Sequence, residues 1–265
     1  MKKLYLIGLF IGLFILSSCS LIVDYDDVYH DYETHLAEQA SLYQEQANWL
    51  NNISTSLMKG VVKVKKISTQ SQFNTVGSGF IFNEDSTYYY VLTNHHITYD
   101  PNPSQANITV YDYLEQDYTA TFIQGSNLYD LSILKIRKKT QTSLYVFTFN
   151  DKDVSDNDRL VTLGYPQSQY HAIYRGVFLK YGQASIDISP LIIDVSFDVV
   201  YATMPVRSGS SGSVTLNMNN FVMGIVFAGN FEGDKTIADQ ALIVPISQIK
   251  TYLTSISVSY REVTS

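Results

Sequence analysis

Cysteine is almost absent from this sequence of 265 residues, because Cys19 is the only one. A single cysteine cannot close a disulfide within the chain, so packing must stabilise the fold. About 200 residues suffice for one or two hydrophobic cores. Basic residues are scarce as well: 18 Lys and Arg oppose 25 Asp and Glu, which gives a net charge of −7. This balance excludes the basic surface that nucleic-acid-binding proteins present, and we expect no nucleic-acid partner.

Histidine is another scarce residue type, with five in the chain. They stand at positions 30, 35, 95, 96 and 171, without the helical spacing of zinc-binding pairs. The first two lie in an acidic segment that is typical of a solvated linker. We therefore expect no metal site and no other cofactor.

A long apolar run covers residues 4–16, directly after Lys2 and Lys3. It is shorter than the ~20 residues of a spanning helix and fits the apolar region of a secretory signal. Residues 16–19, Leu-Ser-Ser-Cys, resemble the lipobox of bacterial lipoproteins. That resemblance implies a signal peptide at residues 1–18, a diacylglycerol on Cys19, and anchoring at the cell membrane outside the cytoplasm. An ordinary signal peptide and an uncleaved anchor are the alternatives.

Residues 19–57 form an acidic and then helical segment. The apolar residues Leu36, Ala40, Tyr43, Ala47 and Leu50 recur at steps of three and four. This period predicts a helix from about residue 32 to residue 51. A spacer on the membrane, a partner-binding helix and a helix packed on the next domain all fit the pattern.

The sequence from residue 60 onwards favours strands, since short runs of β-branched and aromatic residues alternate with turn residues. Six such runs precede a polar break at residues 150–158, and six follow it, the third of these at residues 192–197. Residues 246–253 are typical of a closing helix. We predict an all-β domain at residues 58–255, with two six-stranded antiparallel β-barrels at about 58–150 and 159–248, before a tail at 256–265. A sandwich has the same regular spacing.

Three short segments carry candidate chemistry: residues 92–97, 129–134 and 209–213. They supply, in this order, His96, Asp130 and Ser211. A serine hydroxyl is a weak nucleophile unless a base removes its proton, and a buried carboxylate orients a histidine for that task. Each segment alone is a weak signal. The order His, Asp, Ser belongs to the chymotrypsin arrangement, whereas other serine hydrolases use other orders.

The motifs resemble those of trypsin-like serine peptidases with the chymotrypsin fold, above all the bacterial Htr/Deg serine proteases. The resemblance runs from about residue 60 to residue 253. It lies in Val-Gly-Ser-Gly-Phe-Ile, Leu-Thr-Asn-His-His-Ile, Asp-Leu-Ser-Ile-Leu-Lys-Ile, Leu-Gly-Tyr-Pro, Gly-Ser-Ser-Gly and Val-Pro-Ile-Ser-Gln-Ile, which begin at residues 76, 92, 130, 163, 209 and 244. Only residues 254–265 follow this region, so we expect no PDZ domain.

The resemblance implies a role for particular residues. It assigns the base to His96 rather than His95, because the family's histidine follows the threonine by three positions. It assigns the nucleophile to Ser211, and the oxyanion hole to the N–H groups of Gly209 and Ser211.

The walls of the primary substrate pocket are expected at residues 204–207 and 226–229. Neither stretch contains a carboxylate, so the sequence favours an apolar or small guest over Lys or Arg. Arg207 either contacts substrate or is a solvated surface charge. The predicted substrate-binding residues are Met204, Arg207, Phe227, Ala228 and Gly229.

Two classes of function fit the sequence. The first is a membrane-anchored serine endopeptidase that hydrolyses protein or peptide substrates, such as unfolded or exported proteins, through an acyl-enzyme. The second is a catalytically silent lipoprotein that uses the barrel fold as a protein-binding module. A sandwich-type lipoprotein with a fortuitous triad is a third, weaker hypothesis.

The lipid anchor can be tested directly. The parent chain should incorporate labelled palmitate and partition into detergent. Cys19→Ala should lose the label, because the chain has no other thiol to accept diacylglycerol. Palmitate labelling that persists unchanged in Cys19→Ala would contradict the lipobox assignment.

Overall fold

The computed structural model describes residues 25–168, 172–188, 191–231 and 236–263. The predicted signal peptide and Cys19 lie outside the described residues. Between Ile53 and Ser54 the chain divides into two compact units. This division lies close to the predicted end of the linker at residue 57.

Helix α1 spans Tyr25–Thr55 and is longer at both ends than the predicted helix. The apolar side chains of Leu36, Tyr43 and Leu50 on this helix are exposed. Among the described residues, no helix is long and apolar enough to cross a membrane.

The second unit begins with a seven-stranded antiparallel sheet in the order β5-β4-β1-β2-β3-β7-β6. A short helix, α2 (His95–Thr98), follows β3. Buried aliphatic and aromatic side chains from one face of the curved sheet fill its core. The strands are β1 (Val61–Ser68), β2 (Thr75–Glu84), β3 (Tyr88–Thr93), β4 (Ala106–Tyr111), β5 (Asp117–Thr119), β6 (Thr121–Ser126) and β7 (Leu131–Arg137).

The edge strands β5 and β6 are two halves of one segment that bends at Ala120. The sequence predicts one strand here, at residues 119–123. In the structure Thr119 pairs with Thr109 of β4, whereas Thr121 pairs with Lys135 of β7 at the opposite edge. The sheet is therefore a half-barrel whose two edges are connected through the bent segment, and it has seven strands rather than six.

The second sheet is a closed six-stranded barrel in the order β12-β15-β14-β13-β8-β9. Its pairs are antiparallel, and helix α3 (Ile246–Ser255) follows its last strand as predicted. The all-β fold in two sheets is confirmed. The barrel strands are β8 (Arg159–Gly164), β9 (Ala172–Gly182), β12 (Val199–Ala202), β13 (Val214–Leu216), β14 (Val222–Gly229) and β15 (Ala241–Pro245).

One predicted barrel strand, residues 192–197, is wrong. The chain there forms a separate two-stranded hairpin of β10 (Ser185–Ile188) and β11 (Leu191–Asp194). Strand β12 completes the barrel instead. Val199, Val200 and Ala202 are fully buried, so β12 fills the interior that residues 192–197 were expected to fill.

Ser78 of β2 joins the two sheets. Its N–H donates to Ser211 O at 2.7 Å, and its hydroxyl donates to Gly209 O at 2.8 Å. The same hydroxyl accepts from Tyr165 N–H at 2.8 Å, and Ser78 O accepts from the Thr93 hydroxyl at 2.7 Å. Ser78 is fully buried, so each of these bonds satisfies a group that water does not reach.

Ser78→Ala should destabilise the second unit. The substitution leaves Gly209 O and Tyr165 N–H without the bonds that the hydroxyl makes, and such losses cost about 1–3 kcal/mol. Urea unfolding of the full chain measures the effect. Ser86→Ala, at an exposed turn position, is the matched control and should change the free energy of unfolding by about 0.5 kcal/mol or less. Equal free energies of unfolding for the two variants would contradict the proposal that the Ser78 hydroxyl stabilises the contact between the two sheets.

Candidate active site

His96 and Asp130 form a doubly bonded pair. His96 lies in α2, directly after β3, and Asp130 directly precedes β7. The Nδ1 atom of His96 is 2.7 Å from Asp130 Oδ2, and the His96 N–H donates to Asp130 Oδ1 at 2.9 Å. A carboxylate only accepts, so Nδ1 carries the proton and Nε2 of the neutral ring carries a lone pair.

The backbone around Asp130 fixes the carboxylate. Asp130 is fully buried and has a φ of 49°, a left-handed conformation that Asp adopts more readily than most residues. Its carbonyl accepts from His95 N–H at 3.1 Å and from Asn94 Nδ2 at 3.0 Å. The end of β3 and the start of β7 are thereby held together.

The ring of His95 has different partners from the ring of His96. Its Nδ1 lies 3.1 Å from the Ser132 hydroxyl, and its ring packs edge-on against Tyr99. Burial lowers the pKa of His95, an effect that the Asp130 charge partly opposes. The two adjacent imidazoles therefore occupy separate environments.

The loop before β13 pairs some of its N–H groups and leaves others without an acceptor among the described residues. Ser210 N–H donates to Arg207 O at 2.9 Å, and Ser213 N–H donates to Ser210 O at 3.0 Å. Within the described part of the chain, the N–H groups of Gly209 and Ser211 have no acceptor. The family resemblance predicts these two groups as the oxyanion hole.

Gln167 orients the peptide between Ser208 and Gly209. Its N–H donates to Ser208 O at 2.6 Å. The C=O and N–H of a trans peptide point in opposite directions, so Gly209 N–H points away from Gln167. Gly209 has a φ of 87°, in the left-handed region that favours glycine.

Gly212 allows the loop to approach β2 closely. A Cβ on Gly212 would lie 1.8 Å from Ser78 O, and the φ of Gly212 is 88°. No other residue type fits this position without moving the loop. The hydroxyl of Ser211 donates to Phe227 O at 3.3 Å, and among the described residues no hydrogen bond joins it to His96.

The predicted substrate-binding residues lie in three environments. Met204 and Phe227 are fully buried, and Met204 packs in the core of the second barrel. Ala228 and Gly229 are half-buried at the end of β14. Arg207 is half-buried, and its Nε is buried without a hydrogen-bond partner among the described residues. Their role in binding substrate stays a prediction.

Small apolar groups surround Gly229. A Cβ there would lie 2.7 Å from Ala238 Cβ and 3.0 Å from Val206 Cβ. Val206 and Ala238 are buried and exchange two backbone hydrogen bonds of 2.9 Å. The packing around Gly229 is therefore apolar.

The sequence assigns no role to several residues that shape the site, namely Ser78, Asn94, Gln167 and Ala238. Ser78 and Asn94 lie inside quoted motifs, which is the only signal that could have identified them. Gln167 and Ala238 lie outside every motif.

Comparisons with known proteins agree on the family. The family described as the trypsin-like peptidase domain matches residues 77–225. The serine protease Do-like HtrB of Bacillus subtilis is 26% identical over 182 residues, covering 62% of this chain and 38% of HtrB. The serine protease Rv3671c of Mycobacterium tuberculosis is 25% identical over 187 residues, covering 70% of this chain and 44% of Rv3671c.

A third relative, from Brucella suis, is named as a DegP-like periplasmic serine endoprotease. It is 29% identical over 149 residues, covering 56% of this chain and 26% of the relative. The chain thus spans less than half the length of each of these relatives.

The fold has solved counterparts. The crystal structure of active Rv3671c protease from M. tuberculosis aligns with a TM-score of 0.61 at 22% identity, covering 77% of this chain and 83% of that one. The HtrA-type protease AlgW with a tripeptide aligns with a TM-score of 0.61 at 18% identity, covering 78% of this chain and 63% of that one. With the family match over more than half of its length, the chain belongs to the trypsin-like peptidase family and is homologous to the Htr/Deg serine proteases.

Proposed function

We propose that the chain is a serine endopeptidase in which His96, Asp130 and Ser211 are the catalytic triad. The observation that carries the proposal is the buried His96–Asp130 pair, bonded at 2.7 Å and 2.9 Å. The serine protease names of the relatives support it.

Acylation begins when the Ser211 hydroxyl rotates from Phe227 O towards His96 Nε2. Catalytic hydrogen bonds are often absent before substrate binds, so the bond to Phe227 O is compatible with this step. Ser211 Oγ attacks the carbonyl carbon of the scissile peptide while His96 Nε2 takes the hydroxyl proton. The Asp130 carboxylate stabilises the imidazolium that forms.

The N–H groups of Gly209 and Ser211, which have no acceptor among the described residues, receive the oxyanion of the tetrahedral intermediate. Donors that are already oriented lose no energy to reorganisation when the charge develops. The C–N bond then breaks, and His96 gives its proton to the leaving amine. Water attacks the acyl-enzyme in the same way, and the carboxylic acid product leaves Ser211 with its proton restored.

The substrate side chain before the scissile bond is proposed to be small or apolar. The support is the apolar packing of Val206 and Ala238 against Gly229, where a single added Cβ would meet the Cβ atoms of both residues. A charged guest at this wall would lose hydration without gaining a partner.

The enzyme is further proposed to be anchored to the cell membrane through a lipid on Cys19, and to act outside the cytoplasm on unfolded or exported proteins. The lipobox-like residues 16–19 support the anchor. The periplasmic name of the Brucella suis relative supports the location.

Ser211→Ala should abolish turnover without unfolding the chain. Loss of the nucleophile lowers kcat by roughly three orders of magnitude or more, while the backbone donors remain. Casein hydrolysis and fluorophosphonate labelling measure the effect, with folding checked by circular dichroism. Ser210→Ala is the matched control and should be far milder, since its side chain takes no part in the chemistry.

Two results would contradict the enzyme. One is a folded parent chain that neither cleaves several unfolded substrates nor takes the fluorophosphonate label, which is what a silent binding module predicts. The other is a Ser211→Ala variant that cleaves casein as fast as the parent.

Substitution of each histidine tests the assignment of the base. His96→Ala should lower kcat by roughly three orders of magnitude, because it removes the ring that is proposed to take the Ser211 proton. His95→Ala should cost less than about tenfold, since its ring bonds Ser132 rather than the Asp130 carboxylate. Casein hydrolysis compares the two variants. The reverse ranking would move the base to His95.

A further inference from the structure

Helix α1 is exposed along most of its length. Every residue from 29 to 48 is exposed, including the large apolar side chains of Tyr32, Leu36 and Tyr43. A helix in a protein owes most of its stability to the packing of its apolar face. Among the described residues of one copy, these three side chains keep much of their surface in contact with water.

The large apolar residues of α1 repeat with the period of a coiled coil. In such a seven-residue repeat, positions a and d form the seam that faces a partner helix. The repeat runs through the heptads at residues 29–35, 36–42 and 43–49 and continues at residue 50, a length that indicates a coiled coil. The a positions hold Tyr29, Leu36, Tyr43 and Leu50, and the d positions hold Tyr32, Gln39 and Gln46.

Most charges of α1 lie away from this seam. Asp31, Glu38 and Glu45 stand seven positions apart at heptad position c, on the outer side of the helix, and among residues 29–50 only Glu33 borders the seam. The helix contains no Lys or Arg. Helices that lie on anionic membrane surfaces have basic polar faces, so a membrane would repel this one. A second copy fits better, because the c positions of two paired helices lie on opposite outer sides.

The exposed apolar surface of α1 is large enough for a specific interface. Tyr32 is 58% exposed and Tyr43 is 72% exposed, and Leu36, Leu42 and Leu50 are exposed as well. With roughly 150–250 Å² for each aromatic side chain and somewhat less for each leucine, these residues expose about 500 Å² per copy. Two copies together would bury about 1,000 Å², which is the lower limit for a specific protein interface.

The proposed membrane anchor sets the direction of two such helices, and this step rests on the proposed lipid on Cys19. Only residues 20–24 separate Cys19 from the start of α1 at Tyr25. Helices that begin close to one membrane surface run away from it in the same direction, so two copies would meet in parallel. Confinement to one membrane also raises the effective concentration of each copy for the other.

We infer that α1 binds the α1 helix of a second copy of this chain in a parallel coiled coil, with the a and d positions of residues 29–50 as the seam. In this arrangement each seam residue faces its counterpart in the other copy. An amide side chain both donates and accepts, so Gln39 and Gln46 can each pair with their counterparts. Polar pairs inside a seam fix the register of the two helices.

Disulfide crosslinking tests the seam. Gln39→Cys places a thiol at position d, and Ser41→Cys places one at position f on the far side, as the matched control; both positions are exposed. The chains are full length and carry Ser211→Ala, and whole cells are oxidised before a non-reducing immunoblot. Gln39→Cys should give at least fivefold more crosslinked pairs than Ser41→Cys. The chain with Cys19 alone measures the background.

This measurement does not require catalysis, and palmitate labelling of the same cells reports the anchor separately. A failure of the helix pairing is therefore distinguishable from a failure of the proposed function. The inference is overturned if Gln39→Cys and Ser41→Cys crosslink equally, or if Gln39→Cys gives no more pairs than the background.

A charge in the seam should separate the two copies. Tyr43→Glu, added to Gln39→Cys, should lower the crosslinked fraction at least fivefold, because the two introduced carboxylates would face each other. Gln44→Glu, at position b outside the seam, adds the same charge and should leave the fraction unchanged. Tyr43 is 72% exposed, so its replacement leaves the packed cores intact, and circular dichroism checks the helix. Crosslinking that persists in folded Tyr43→Glu would overturn the inference.

Discussion

The buried hydrogen bonds of Ser78 set the geometry on which the rest of the site depends. They tie the carbonyls of Gly209 and Ser211 to β2, while the Thr93 hydroxyl ties β3 to the same residue. The loop with the proposed nucleophile belongs to the second barrel, and His96 follows β3 in the half-barrel. Ser78 is bonded both to the loop that contains Ser211 and to the strand that precedes His96. The distance between the proposed nucleophile and the proposed base therefore depends on a rigid strand rather than on flexible loops. Polar groups buried this deeply must remain paired, so the Ser78 hydrogen bonds resist a shift of the two sheets relative to each other.

The same loop divides its amide groups into two sets. Ser210 and Ser213 satisfy their N–H groups inside the loop, whereas Gly209 and Ser211 do not among the described residues. The hydrogen bond from Gln167 N–H to Ser208 O fixes the plane of the peptide between Ser208 and Gly209. This bond therefore keeps the Gly209 N–H turned away from Gln167. An unpaired donor destabilises the folded chain, and the loop tolerates it through hydrogen bonds made elsewhere. The proposed oxyanion hole therefore lowers the stability of the folded chain, and in return its two N–H groups are ready to bind an anion.

The local motifs of this protein could be predicted from its sequence, whereas its long-range contacts could not. The motifs around His96, Asp130 and Ser211 are contiguous, so these residues and their order could be predicted from the sequence. Ser78 could not be assigned, because Gly209 and Ser211, the partners that place it at the site, stand more than a hundred positions away along the chain. Strand β12 was missed because residues 192–197 and 199–202 both contain several β-forming residues. Burial in the closed barrel, which composition does not encode, decides between them.

The bend at Ala120 has a mechanical consequence. One short segment lies along both margins of the half-barrel, so separation of β4 from β5 pulls on the pairing of β6 with β7. Opening at either margin is thus coupled to the other, which raises the energy of partial unfolding above that of an ordinary edge strand. Free strand margins recruit extended polypeptides into mixed sheets. The outer edges of β5 and β6 pair with no further strand among the described residues, and the three-residue length of β5 together with the bend limits how far an extended polypeptide could pair there.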